Sequence, residues 1–84
     1  LYVSKAISNN VFIYPNPVKD ILHAEIHSNG AFEFSIYDTE GKLIRRNSYE
    51  NSRIEEDLSS LKAGIYFIQI KTDHKVIGSK LIKM

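Results

Sequence analysis

Cysteine is absent from the sequence, so no disulfide can support the fold and stability has to come from one apolar core. The 84 residues leave no room for a second core, and a domain of this size buries only about 60 to 65% of the surface its unfolded chain exposes. Long apolar runs are missing as well. None approaches the roughly 20 residues of a membrane-crossing helix, and Val76-Ile77 and Leu81-Ile82 are both flanked by charged or small residues. Neither charge dominates: 11 basic and 10 acidic residues are scattered along the chain for a net +1, which leaves no basic stripe to meet nucleic acid. No stretch keeps a helical period for three turns, so helix content is expected to be very low. No signal peptide or initiator methionine opens the chain; Leu1-Tyr2-Val3-Ser4 reads as the middle of a longer polypeptide, of which this is expected to be the C-terminal piece.

What is present is a series of short apolar segments separated by turn residues at intervals of about 8 to 12, the spacing of a sandwich or barrel. Strands are predicted near 11–14, 20–27, 31–37, 42–50, 52–56, 64–72 and 75–83, after a small and polar stretch, 1–10, that looks like a linker. The reading is an all-β, immunoglobulin-like antiparallel sandwich of about seven strands. Successive strand residues point to opposite faces, so Leu22, Ala24 and Ile26 form one core set. Phe32, Phe34 and Ile36 form a second, and Tyr66, Ile68 and Ile70 a third, opposite Ile65, Phe67 and Gln69.

Turn chemistry checks the register. A type I turn over 38–42, closed by Gly41 with positive φ, pairs Ile36 with Ile44 and Tyr37 with Leu43. A two-residue loop at Asp73-His74 pairs Ile70 with Ile77, Phe67 with Lys80, Tyr66 with Leu81 and Ile65 with Ile82, which locks the last strand against the one starting at Gly64. The same loop length at Asn29-Gly30 would set Ile26 opposite Glu33 and bury a carboxylate. Either Ser28-Asn29-Gly30 is a three-residue loop, with Ile26 against Phe32, or the chain crosses there between sheets. Residues 57–62 read as one short helical turn, capped by Asp57 or Ser59, ended by Gly64, and plugging the sandwich with Leu58 and Leu61.

Chemistry is sparse. His23 and His27 share a face of one strand, but four strand residues span roughly 13 Å, too far for two ligands of one ion, and His74 lies in a turn. Glu55 and Glu56 point to opposite sides and cannot converge on one bond, so a solvated strand is the expected setting for both. Serine-nucleophile motifs, glycine-rich phosphate loops and cysteine-histidine pairs are absent. No cofactor, no metal and no catalytic residue is called for. Of the five tyrosines and four phenylalanines, Tyr37, Tyr49 and Phe67 are the rings expected at the surface, where they would serve a carbohydrate-binding module.

One segment has both a physical and a family reading. In Ile13-Tyr14-Pro15-Asn16-Pro17-Val18-Lys19-Asp20-Ile21-Leu22 two prolines remove backbone donors, so one strand must end and another begin. The segment resembles the opening signature of the type A C-terminal sorting domains of the type IX (Por) secretion system. The resemblance continues through the Asp38, Gly41 and Lys42 turn, through Asp57-Leu58-Ser59-Ser60-Leu61 and Gly64-Ile65-Tyr66-Phe67-Ile68, and finishes in Ser79-Lys80-Leu81-Ile82-Lys83-Met84. Residues 47–56 carry none of its motifs. It implies a domain over 11–84, preceded by a linker from an upstream cargo, that is read by the outer-membrane secretion machinery after passage through the periplasm. It further implies removal by a cell-surface sortase, with cargo anchored to anionic lipopolysaccharide or released.

Within that resemblance the sorting motif falls on Pro15, Asn16, Pro17, Asp38, Gly41, Lys42, Gly64, Tyr66, Lys80, Leu81, Ile82 and Lys83. The final strand is expected to be an open edge, read by strand addition, with Lys80 and Lys83 either selecting the receptor or guarding against aggregation. The same edge allows strand exchange between two copies. The alternative function is a passive immunoglobulin-like spacer or carbohydrate-binding accessory module of a secreted enzyme.

Overall fold

A computed structural model of the chain describes residues 11–27, 30–50, 52–73 and 75–84, together with the backbone of 5–8. Among them eight strands form two antiparallel four-stranded sheets and no helix occurs. The first sheet has the order β1 (Lys5–Ser8), β2 (Val11–Tyr14), β3 (Ile21–Ile26), β6 (Arg53–Asp57). The second has the order β5 (Leu43–Tyr49), β4 (Phe32–Tyr37), β7 (Gly64–Lys71), β8 (Val76–Lys83). The extra strand relative to the sequence reading is β1, which lies inside the polar stretch 1–10 and pairs with β2.

Alternation places the core as expected. Leu22, Ala24 and Ile26 of β3 face Phe34 and Ile36 of β4 and Ile68 and Ile70 of β7 across the sandwich, all buried, with Phe32 beside them. Tyr66 is only partly buried: its ring packs on the core and its hydroxyl donates to the Lys62 carbonyl at 2.8 Å. Val11, Ile13, Val18, Ile54, Leu58 and Leu81 complete the cluster.

Three turns decide the topology. Between β3 and β4 the chain crosses from one sheet to the other, so Ile26 and Phe32 both face inward without Glu33 being buried. After β7 the loop produces the anticipated register, including Ile70 opposite Ile77, Phe67 opposite Lys80, Tyr66 opposite Leu81 and Ile65 opposite Ile82. At 38–42 the expectation is half met. Gly41 has a φ of 83° and Tyr37 faces Leu43, but a bulge then slips the ladder so that Ile36 opposes Arg45 rather than Ile44. An added residue in one strand re-aims the side chains beyond it. Here it sends Arg45 to the side of the sandwich, where Nη1 donates to the Asp57 carbonyl at 2.7 Å.

Residues 57–62 form a single hydrogen-bonded turn, Leu61 N–H to Leu58 carbonyl at 3.0 Å, rather than a helical turn. Asp57 caps it by accepting from the Ser59 amide at 2.9 Å. The Ser59 hydroxyl first, and then that amide bond, hold the Asp57 carboxyl below its ordinary range. Leu58 plugs the core and Leu61 packs against it.

Phe34 is the largest fully buried side chain. Phe34→Ala is expected to destabilise the domain by about 3–5 kcal/mol, comparable to the whole stability of a fold this small. Urea denaturation followed by circular dichroism should show the transition lost or displaced, while Ile21→Ala, at an exposed strand start, shifts it by under about 0.5 kcal/mol.

Candidate functional site

The terminal strand is a sheet edge, but its last five residues are not open. Antiparallel pairing with β7 uses alternate backbone groups and turns the others outward. Four of those outward groups are taken by the proline-bracketed segment that follows β2. The Asn16 side chain donates from Nδ2 to the Lys80 carbonyl at 2.9 Å and accepts at Oδ1 from the Ile82 amide at 3.0 Å. Val18 continues as a short parallel bridge, its amide donating to the Ile82 carbonyl and its carbonyl accepting from the Met84 amide, both at 2.8 Å. Asn16 thus imitates one residue of a neighbouring strand. Pro15 and Pro17, which have no N–H and follow cis peptides, flank it. The expectation of an open terminal edge is therefore corrected: the backbone groups of Lys80, Ile82 and Met84 are already taken, which closes that stretch to strand addition by a receptor or by a second copy.

Side chains of the tail alternate. Leu81 is in the core and Lys83 is 7% exposed, its Nζ donating to the Met84 carbonyl at 2.9 Å, whereas Lys80, Ile82 and Met84 point outward. At the turn, Asp38 Oδ1 accepts from the amides of Glu40 and Lys42, both at 2.9 Å, and the Asp38 amide donates to the Lys42 carbonyl at 3.0 Å. Lys42 itself is exposed. Gly64 opens β7 at a φ of 152°. Because Tyr37 opposes Phe67 and Phe67 opposes Lys80, the 38–42 turn, the start of β7 and the C-terminal tail all gather at one end of the second sheet.

A secretion-system family model, described as a C-terminal sorting domain, matches residues 12–84. The chain belongs to this family. It is a type IX secretion sorting-signal domain, the kind of module carried by proteins exported to the cell surface or beyond. A structural comparison finds a DUF3244 family protein from Bacteroides vulgatus with an immunoglobulin-like β-sandwich fold, at a TM-score of 0.79 and 12% identity, covering 98% of this chain and 92% of that one. At that identity the likeness speaks for the fold alone. No curated protein matches the sequence.

In the sorting domain, most of the motif residues turn out to be builders. Pro15, Asn16, Pro17, Asp38, Gly41, Gly64, Tyr66 and Leu81 shape turns, clasp the tail or fill the core, and Lys83 is tucked under it. Lys42, Lys80 and Ile82 are left to face solvent. His23 and His27 share the outer face of the first sheet as expected. His23 stacks on Tyr14, centroids 5.2 Å apart, and lies 3.5 Å from a Glu55 oxygen. Among the described residues no group of three or more histidines and acids is placed to hold a metal. Beside these, the Tyr14 hydroxyl bonds Glu25, and that contact, aided by Arg53 and His27, holds the Glu25 carboxyl below its ordinary value.

Two surface expectations fail together. Glu56 does not lie on a solvated strand but is 5% exposed, and Tyr49 is partly buried against it and Phe32. The bulge explains both, since it brings β5 over the edge of β6. Glu56 accepts from the Tyr49 hydroxyl and from Asn47 Nδ2, the latter at 3.2 Å, with Arg45 Nη1 3.7 Å away. The signal available in the sequence was Ile54-Glu55-Glu56, which puts Glu56 on the same face as the core residue Ile54. Burial first, then the hydrogen bond and charge of Glu56, push the Tyr49 phenol up to about 12. A raised value means that the protonated phenol stabilises the fold fully below pH 10, a contribution lost as pH rises through 12.

Two substitutions test these closures. Asn16→Ala removes two bonds to the tail and is expected to cost about 2 kcal/mol, with amide exchange at Ile82 accelerated and that at Ile68 changed only by the global loss; unchanged protection at Ile82 would contradict the clasp. Tyr49→Phe leaves Glu56 without its hydroxyl donor and should destabilise by about 1–3 kcal/mol at neutral pH. In ultraviolet titration the variant should lose the latest tyrosine step.

Proposed function

We propose that this domain directs an upstream cargo across the outer membrane through the type IX machinery, acts there as an address without catalysis, and is cut away at the cell surface by a sortase acting within residues 1–10. The observation that carries this reading is that the family match, residues 12–84, spans the closed folded unit from β2 to β8, all of its strands but β1. The segment after β2, through Asn16 and Val18, holds its last residues, which supports a signal that is a folded body and not a loose peptide. On this reading cargo passes through the periplasm, and the partners are the outer-membrane machinery and the sortase.

Truncating the tail is a poor test, because Leu81 is fully buried and its removal would unfold the domain. Transfer is the better one. A reporter carrying a signal peptide and the 84 residues at its C-terminus, expressed in a type IX-proficient bacterium, should appear at the cell surface or in the medium without the domain. It should stay in the periplasm of a strain lacking the machinery. Retention in both strains, or escape from both, would refute the reading.

A further inference from the structure

A half-buried antiparallel strand ordinarily sets polar residues on its solvent side. β7 does not. Opposite the buried Ile68 and Ile70, its outward residues at the start are Ile65 and Phe67, each 44% exposed. The register extends them into neighbours of the same kind: Tyr37 stands between Leu43 and Phe67 in one row across three strands, and Ile65 faces Ile82 in the next. Cross-strand neighbours on one face lie about 4.5–5.5 Å apart, so these side chains are continuous. With Leu43 at 41% and Ile82 at 39% exposure, they form an apolar patch on a flat face. The outer face of the other sheet also carries apolar groups, Ile21, Phe12 against His27 and Tyr14 against His23, but they stand among the charges of Glu25, Arg53 and Glu55.

Charge on this face narrows the choice of occupant. Arg46 lies 3.4 Å from Glu33, and Lys71 is the cross-strand neighbour of the same acid. Lys80, beside Phe67, makes no ion pair among the described residues. We propose that the outer face of the second sheet, centred on Phe67 and Ile65 with Lys80 at its margin, docks a protein of the export machinery that presents apolar side chains next to carboxylates. This rests on the export reading above and names its contact surface. A second copy fits poorly, since the cross-strand neighbours of its own Phe67 and Ile65 are Tyr37, Lys80 and Ile82, with no carboxylate among them. An anionic bilayer draws on clusters of several basic residues, and the patch offers two separated lysines without an ion pair among the described residues, Lys80 beside Phe67 and Lys42 before Leu43.

The test uses the reporter fusion. Phe67→Ser combined with Ile65→Ser, both at exposed positions, should lower the exported reporter about tenfold or more, with the cargo accumulating in the periplasm and the domain melting as wild type. Lys80→Glu, which removes no apolar contact, should lower export about tenfold by itself, and it decides the matter if the serine pair fails to fold. Glu55→Ser, on the opposite sheet, should export normally. Export of folded Lys80→Glu and serine variants at the wild-type rate overturns the docking surface while leaving the export reading standing; failure of the unaltered fusion to export at all overturns both. Two further results would overturn the assigned occupant: concentration-dependent dimers of the 84-residue chain that disappear with Phe67→Ser, or sedimentation of the chain with phosphatidylglycerol vesicles that disappears with the same change.

Discussion

The amide of Asn16 holds the two ends of the fold together. Its two hydrogen bonds reach 64 and 66 residues along the chain, and Val18 adds two more immediately after. They add to the ties that β7, Leu81 and the neighbouring β1 already make to the last strand. The arrangement answers a specific difficulty of small β domains, which cannot bury enough surface to ignore the open backbone of an edge strand. A side chain that copies a strand's donor and acceptor, set between two residues that have no donor, satisfies the edge of the tail without extending the sheet further.

The other side of the sandwich is closed by different means. There β5 and β6 belong to different sheets, and no backbone ladder joins them. Arg45, Asn47 and Tyr49 reach over instead and converge on Glu56 and the Asp57 carbonyl. A carboxylate taken out of water demands donors, and Glu56 has a hydroxyl and an amide, with a guanidinium close by. The bulge after Tyr37 is what makes this geometry available. One inserted residue turns Arg45 inward and leaves Ile44, instead of Arg45, on the surface.

The regions that were legible in the sequence are those governed by local rules. The eight-residue ladder between β7 and β8 follows from the length of one tight loop, and the core sets of β3 and β4 follow from alternation. What was not legible depends on contacts between segments distant in sequence. Nothing local in Ile36-Tyr37 announces a bulge, and the partners it serves, Glu56 and the Asp57 carbonyl, lie on β6. Glu56 read as solvated because a lone carboxylate is usually so, and only Tyr49, arriving from another sheet, makes its burial tolerable. The tail read as an open edge because Asn16 is polar and bracketed by prolines, which suggests a turn and says nothing of what the turn touches. The sheet crossing between β3 and β4 was one of two readings that satisfied the same face constraint, and pairing alone could not choose between them.

A division of labour follows among the motif residues. Glycine, proline, aspartate and asparagine positions enforce turns and clasps, so their identities are dictated by backbone geometry whatever the domain binds. The residues free to be read from outside are fewer, and they lie on one sheet face at the end where the 38–42 turn, the start of β7 and the tail meet. Leu43, Phe67 and Ile82 come from three separate strands and become neighbours only when the full register of the second sheet has formed. Phe67 and Ile82 are near each other because of the register between β7 and β8, and Leu43 joins them because Gly41 closes the turn before β5. A surface composed in this way is absent from the unfolded chain, where no one segment contains it. Any partner that recognises it therefore reads the completed sandwich, and a motif of turn formers can specify an address without a single one of its glycines or prolines touching the reader.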